Sequence, residues 1–130
     1  MSGLEVASVY VAANILILVW LAFRVVSHRF RGRISLGDGG SEDLAVAIRV
    51  HGNASEYIPA MLVGLLALAF LDVPTWIIHA LGATFTVGRL MHPVGMTTGP
   101  IQLRQVGVLL TWLCMVILSL VLLYFVFTQA

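Results

Sequence analysis

The chain has 130 residues, of which 60% are hydrophobic and only 10% charged, with a net charge of +1. Soluble domains carry about 25% charged residues and a short domain buries only part of its surface, so a water-facing fold and a disordered chain are both excluded and the surplus apolar surface faces lipid. The near-neutral charge balance argues against nucleic acid as a partner, and the single cysteine, Cys114, excludes an intrachain disulfide and a cysteine zinc site.

Residues 6 to 23, between Glu5 and Arg24, hold no charge. At 1.5 Å per residue they cover about 27 Å, close to the ~30 Å hydrocarbon core, so a first span is predicted over about residues 4–25. A cleaved leader fits less well, because the bases follow the apolar run instead of preceding it. From Arg24 the chain turns polar, through His28, Arg29, Arg31 and Arg33 to Gly37, Asp38, Gly39 and Gly40, and reads as a loop. Its glycines match no nucleotide motif. Ser41 is an expected N-cap, with Glu42 and Asp43 in the first turn of a second helix over about residues 42–71.

Asp72, Val73 and Pro74 form a turn, and a third helix is predicted over about residues 75–92. A loop from Pro93 to Pro100 leads to a last helix over about residues 101–127, which has no ionisable acid, base or histidine after Arg104. The expected fold class is therefore all-α: an integral membrane up-down four-helix bundle in a single domain, residues 1–130. Both termini then share one side. The first loop carries four or five arginines, depending on where the span ends, and the opposite side carries none. The positive-inside rule puts loops one and three in the cytoplasm and the termini in the periplasm.

Charge inside a membrane helix costs at least about 2.5 kcal/mol on insertion scales and marks function by default. On a helical wheel with Arg49 at 0°, Asn53 falls at about 40°, Glu56 at about −20° and Tyr57 at about 80°. They form one stripe, continued by the small residues Ala60, Gly64 and Ala67, whereas His51 lies near 200°, on roughly the opposite face. The plain reading is an internal Arg49–Glu56 pair that holds the bundle together. Two turns separate the pair by about 10 Å along the axis, so both side chains would have to stretch, and Asn53 and Tyr57 would go unexplained.

Arg89 and His92 share a patch near one end of the third helix, and Arg104 lies one turn into the fourth at the same end. Each taken alone fits snorkelling to the headgroups. Together with Arg49, the two arginines converge. Three arginines against one glutamate make a net positive pocket suited to an anion with several carboxylates, which guanidinium pairs bidentately, while Glu56 and Asn53 suit an ammonium or amide. The 4 histidines show no metal spacing. His28 and His79 read as interfacial or core residues, and Cys114 as a packing residue.

The run Arg49-Val-His-Gly-Asn53-Ala-Ser-Glu56-Tyr57-Ile-Pro59 resembles the signature of the MAPEG family, the membrane-associated proteins in eicosanoid and glutathione metabolism. Gly88-Arg89-Leu-Met-His92, a following loop with glycine, and Arg104 opening the last helix are also similar, and the likeness covers nearly the whole chain. It is closest to short bacterial members, which implies the bacterial inner membrane. The resemblance implies a homotrimer of four-helix protomers with glutathione at each subunit interface. It implies glutathione contacts at Arg49, Asn53, Glu56, Tyr57 and Arg89, with His92 beside them, and a catalytic role for Arg104 in activating the thiol. The second substrate would be apolar or lipid-like, entering from the bilayer.

Two departures stand out. Where studied animal members carry tyrosines after the third-helix arginine, this chain has His92 and Met96, and the stretch before Arg104 is about two residues longer. One branch of the family binds a lipid and assists another enzyme without catalysis. The expected function is a membrane glutathione transferase acting on apolar electrophiles or lipid hydroperoxides. The alternative is a non-catalytic membrane module that binds a lipid or a partner protein.

Overall fold

The computed structural model describes residues 1–129 as four helices: α1 (Gly3–Gly32), α2 (Glu42–Phe70), α3 (Thr75–Thr97) and α4 (Ile101–Gln129). A capping box opens α1. Ser2 Oγ accepts from the Glu5 amide (3.2 Å), and the Glu5 carboxylate accepts from the Ser2 amide (2.7 Å). Ser41 Oγ caps α2 by accepting from the Leu44 amide, as its position predicts.

Two boundaries differ from the expectation. The arginine-rich segment after Arg24 is helical, not a loop, as far as Gly32. Arginine is a good helix former, Arg29 and Arg31 suit the negative end of the helix dipole, and Arg33 closes the helix in the left-handed conformation at φ 53°. With 30 residues, α1 is about 45 Å long and outruns the ~30 Å hydrocarbon core. Likewise α3 continues through Pro93 to Thr97. Proline removes one amide from the ladder, but packing of the last turn against α4 keeps it helical.

The helices run up and down in turn. α1 and α3 are parallel, joined by Asn14 Nδ2 donating to Thr86 Oγ1 (2.9 Å) and by a Tyr10 hydroxyl–His79 Nδ1 hydrogen bond (2.8 Å). Every pair of helices touches except α1 and α4, which lie at opposite corners. The core between them is made of Leu21, Val50, Ile58, Met61, Leu65, Ile78, Phe85 and their neighbours. Cys114 is buried in it, as its apolar setting implies.

Three helices, α1, α2 and α4, are long and apolar enough to cross a membrane. α3 carries His79, Arg89, His92 and four threonines. The outer faces of α1 and α4 expose Leu16, Phe23, Leu109, Leu120 and Phe127, each more than 60% accessible. So much contiguous apolar surface is incompatible with water and marks a membrane protein.

α3 and α4 touch backbone to backbone. A Cβ on Gly107 would stand 2.7 Å from the Gly88 carbonyl oxygen and 2.9 Å from the His92 nitrogen. A Cβ on Gly95 would collide with the Arg104 backbone. Small residues permit this approach, as they do generally between membrane helices, and it seats Arg104 against the end of α3. Gly107→Ala should therefore lower stability by about 1–3 kcal/mol through overpacking, read as thermal unfolding in detergent. Gly52→Ala, whose Cβ meets nothing within 4 Å, should be neutral or slightly stabilising. Equal effects from the two substitutions would contradict the close approach.

Candidate functional site

The α2 stripe folds into two layers. Asn53 turns inward and is 7% exposed, whereas the Arg49 and Glu56 side chains are 62% and 50% exposed. This follows the wheel, since Asn53 and Tyr57 lie on the flank nearer the core. Arg49 Nη1 reaches Glu56 Oε1 at 3.1 Å, so the stretched pairing does form. Both residues belong to α2 and lie on the outside of the bundle, so the pair ties one helix to itself and does not hold the bundle together.

Arg89 is the largest fully buried side chain, at 2% exposure, and His92 beside it is 5% exposed. Neither snorkels. Arg89 Nη1 donates to Asn53 Oδ1 at 3.0 Å. Its guanidinium lies 5.6 Å from the Tyr57 ring centroid and 5.9 Å from that of Phe85, within cation–π range. Nε and Nη2 have no partner at all. Arg89 thus sits behind Asn53 and Tyr57 as a fixed positive charge without a carboxylate.

Arg104 lies on the outer face of α4, exposed, in an open groove of about 460 Å³ with Gln105, Val108, Leu109 and Trp112. Headgroup anchoring remains consistent with that exposure. Trp112 Nε1 donates to the Tyr57 hydroxyl at 3.1 Å, linking this groove to the α2 stripe. Arg49 lies in the first third of α2, Arg89 in the second half of α3 and Arg104 one turn into α4, so the three arginines stand toward one end of the bundle, with Arg89 bonded to Asn53 one turn beyond Arg49. Trp112 and Phe85 were not singled out from sequence. Trp112 was accessible to that reasoning, since it lies eight residues beyond Arg104 on the same face of α4, whereas the ring of Phe85 has no polar atom to mark it.

The remaining histidines fall outside this cluster. His79 is exposed and bonded to Tyr10. His28 lines a polar cavity of about 370 Å³ with Arg24, Glu42 and Asp43. No group of three metal-ligating side chains occurs among the described residues.

A sequence model of the MAPEG family matches residues 7–124 of this chain. The chain belongs to the MAPEG family. It is 36% identical over 115 residues to "Inner membrane protein YecN" of Escherichia coli strain K12, covering 88% of each chain, and equally similar to the protein of that name in E. coli O6:H1. No solved structure matches the chain.

In this MAPEG protein the burial of Arg89 makes a direct demand on Asn53. Asn53→Ala removes the only hydrogen-bond acceptor of a buried guanidinium and should cost about 1–3 kcal/mol, measured as thermal unfolding. Asn53→Asp supplies a charged acceptor at the same place and should retain far more stability. If the alanine variant melts like the parent, the Arg89–Asn53 bond is not structural.

Proposed function

We propose that the protein is a glutathione-dependent transferase of the bacterial inner membrane, working as a homotrimer. The observation that carries this reading is the placement of Arg49, Arg89 and Arg104 from three helices toward one end of the bundle, with Arg89 bonded to Asn53 and Arg49 to the carboxylate of Glu56 on the same α2 stripe. Glutathione offers two carboxylates, an ammonium and a thiol. Arg49 takes a carboxylate and Glu56 the ammonium. The ligand therefore replaces the Arg49–Glu56 pair, whose half-exposed setting makes it worth at most about 1 kcal/mol. Asn53, Tyr57 and His92 line the site, and the buried Arg89 adds positive potential from behind them.

The stripe opens on the outside of the protomer, and so does the Arg104 groove. A neighbouring copy closes such a site, which is the role of the trimer that the family resemblance implies. The inner-membrane assignment draws on the name of the E. coli relatives. Loops one and three face the cytoplasm and the termini the periplasm, by the distribution of arginines.

Arg104 is the thiol activator. A cysteine thiol has a pKa of about 8.5, so little of it is thiolate at neutral pH. Lowering that by about two pH units takes ~2.7 kcal/mol. One full charge about 4 Å away supplies ~4 kcal/mol at an effective dielectric near 20, so one arginine suffices. The thiolate then attacks an apolar electrophile or a lipid hydroperoxide that arrives through the bilayer.

A second reading, the non-catalytic lipid- or protein-binding module, is favoured by one observation. His92 and Met96 stand where tyrosines hold glutathione in the studied animal members. The ultraviolet thiolate band of glutathione mixed with purified protein separates the two. Arg104→Ala should abolish the band and turnover while glutathione still binds, and Arg49→Ala should weaken binding about tenfold or more. A band unchanged in Arg104→Ala makes Arg104 a headgroup anchor only.

A further inference from the structure

The direction of one hydrogen bond between α2 and α4 is fixed by chemistry. A tyrosine hydroxyl offers one proton and two lone pairs, whereas an indole N–H can only donate. In the 3.1 Å contact between them, Trp112 Nε1 therefore donates and Tyr57 Oη accepts. The phenolic proton points elsewhere, and among the described residues it meets no acceptor. Accepting one hydrogen bond polarises the O–H and makes it a stronger donor. The Tyr57 ring is held as well, its centroid 5.6 Å from the Arg89 guanidinium.

The same device acts one turn earlier on α2. A guanidinium also only donates, and Arg89 Nη1 takes Asn53 Oδ1 at 3.0 Å. The amide oxygen of Asn53 is thereby committed, and its Nδ2 is left to donate. With Arg49, the stripe presents donors at three positions, and Glu56 is its one carboxylate acceptor. Such a pattern suits a ligand with several acceptor oxygens and one ammonium. At Asn53 the direction is set by the buried charge of α3, and at Tyr57 by the indole of α4.

Trp112 has little other work. It is 53% exposed, so packing holds it weakly, and it lines an open groove with Arg104, Val108 and Leu109. It stands two turns from Arg104, about 12 Å along the axis. With Arg104 at headgroup level, Trp112 lies within hydrocarbon and below the belt where tryptophan anchors a helix. An indole N–H in lipid needs a protein acceptor, and Tyr57 Oη is the acceptor it has.

We infer that Trp112 is a positioning residue for the Tyr57 hydroxyl: its indole holds the phenolic oxygen, so that the phenolic proton is left to donate to an acceptor oxygen of the ligand on the α2 stripe. The inference rests on the glutathione reading of that stripe and deepens it. It assigns Trp112 a part in binding that acts only through Tyr57.

The bond itself is tested without ligand, in the indole N–H NMR spectrum of the full-length protein in detergent. The 3 tryptophans give separate resonances, that of Trp112 being the one lost in Trp112→Phe. Tyr57→Phe should move this resonance and leave those of Trp20 and Trp76 in place. Calorimetric titration with glutathione then completes a double-mutant cycle. Tyr57→Phe should weaken binding about tenfold and Trp112→Phe about threefold. The double variant should bind no more weakly than Tyr57→Phe alone. Losses that multiply in the double variant would make Trp112 a wall of the groove and overturn its positioning role. Wild-type affinity in Trp112→Phe, or an indole resonance unmoved by Tyr57→Phe, would do the same, and in each case the glutathione reading stands. Failure of the wild-type protein to bind glutathione would instead overturn that reading, and this role with it.

Discussion

A guanidinium placed inside the bundle governs the rest of this molecule. Arg89 is removed from water and given one hydrogen bond, to Asn53, and two aromatic faces, Tyr57 and Phe85. Desolvating a charge is expensive, so α2 must turn Asn53 inward, and that turn leaves Arg49 and Glu56 outside on the same stripe. The orientation of the candidate site is thus a consequence of satisfying Arg89. Its two unpartnered nitrogens leave a positive charge that no carboxylate among the described residues pairs with.

The second constraint is steric. Gly88, Gly95 and Gly107 let α3 and α4 approach until backbones touch, which buries His92 and fixes where Arg104 sits, one turn into α4. The arginines of α2, α3 and α4 are then collected toward one end of the bundle, and the outer faces of α1 and α4 are largely apolar. An anionic ligand with an apolar reaction partner fits that division, because the two would meet where the charged end adjoins the bilayer.

Much of this was legible in the sequence. The uncharged run before Arg24, the cap at Ser41 and the turn at Pro74 define the helices and their order, and the spacing of Arg49, Asn53, Glu56 and Tyr57 defines the stripe. The failures are as physical as the successes. The arginines after Arg24 look like a loop because polarity marks the end of a membrane span, yet a helix need not stop where the membrane does. Pro93 looks like a helix end because local sterics disfavour helix before proline, but contact with α4 overrides it. Arg89 could be anchored at the surface or buried, and only the positions of Asn53, Tyr57 and Phe85 decide between these. The reach of Arg49 to Glu56 depends on rotamers, which spacing alone does not specify.

The central claim is that the arginine-rich end holds a soluble thiol peptide by its carboxylates. Calorimetric titration of the purified wild-type protein with glutathione and with its diethyl ester tests this most directly. Saturable binding of glutathione, with the diester at least about tenfold weaker, is the expected result. Absence of saturable binding, or equal binding of acid and diester, would contradict the account.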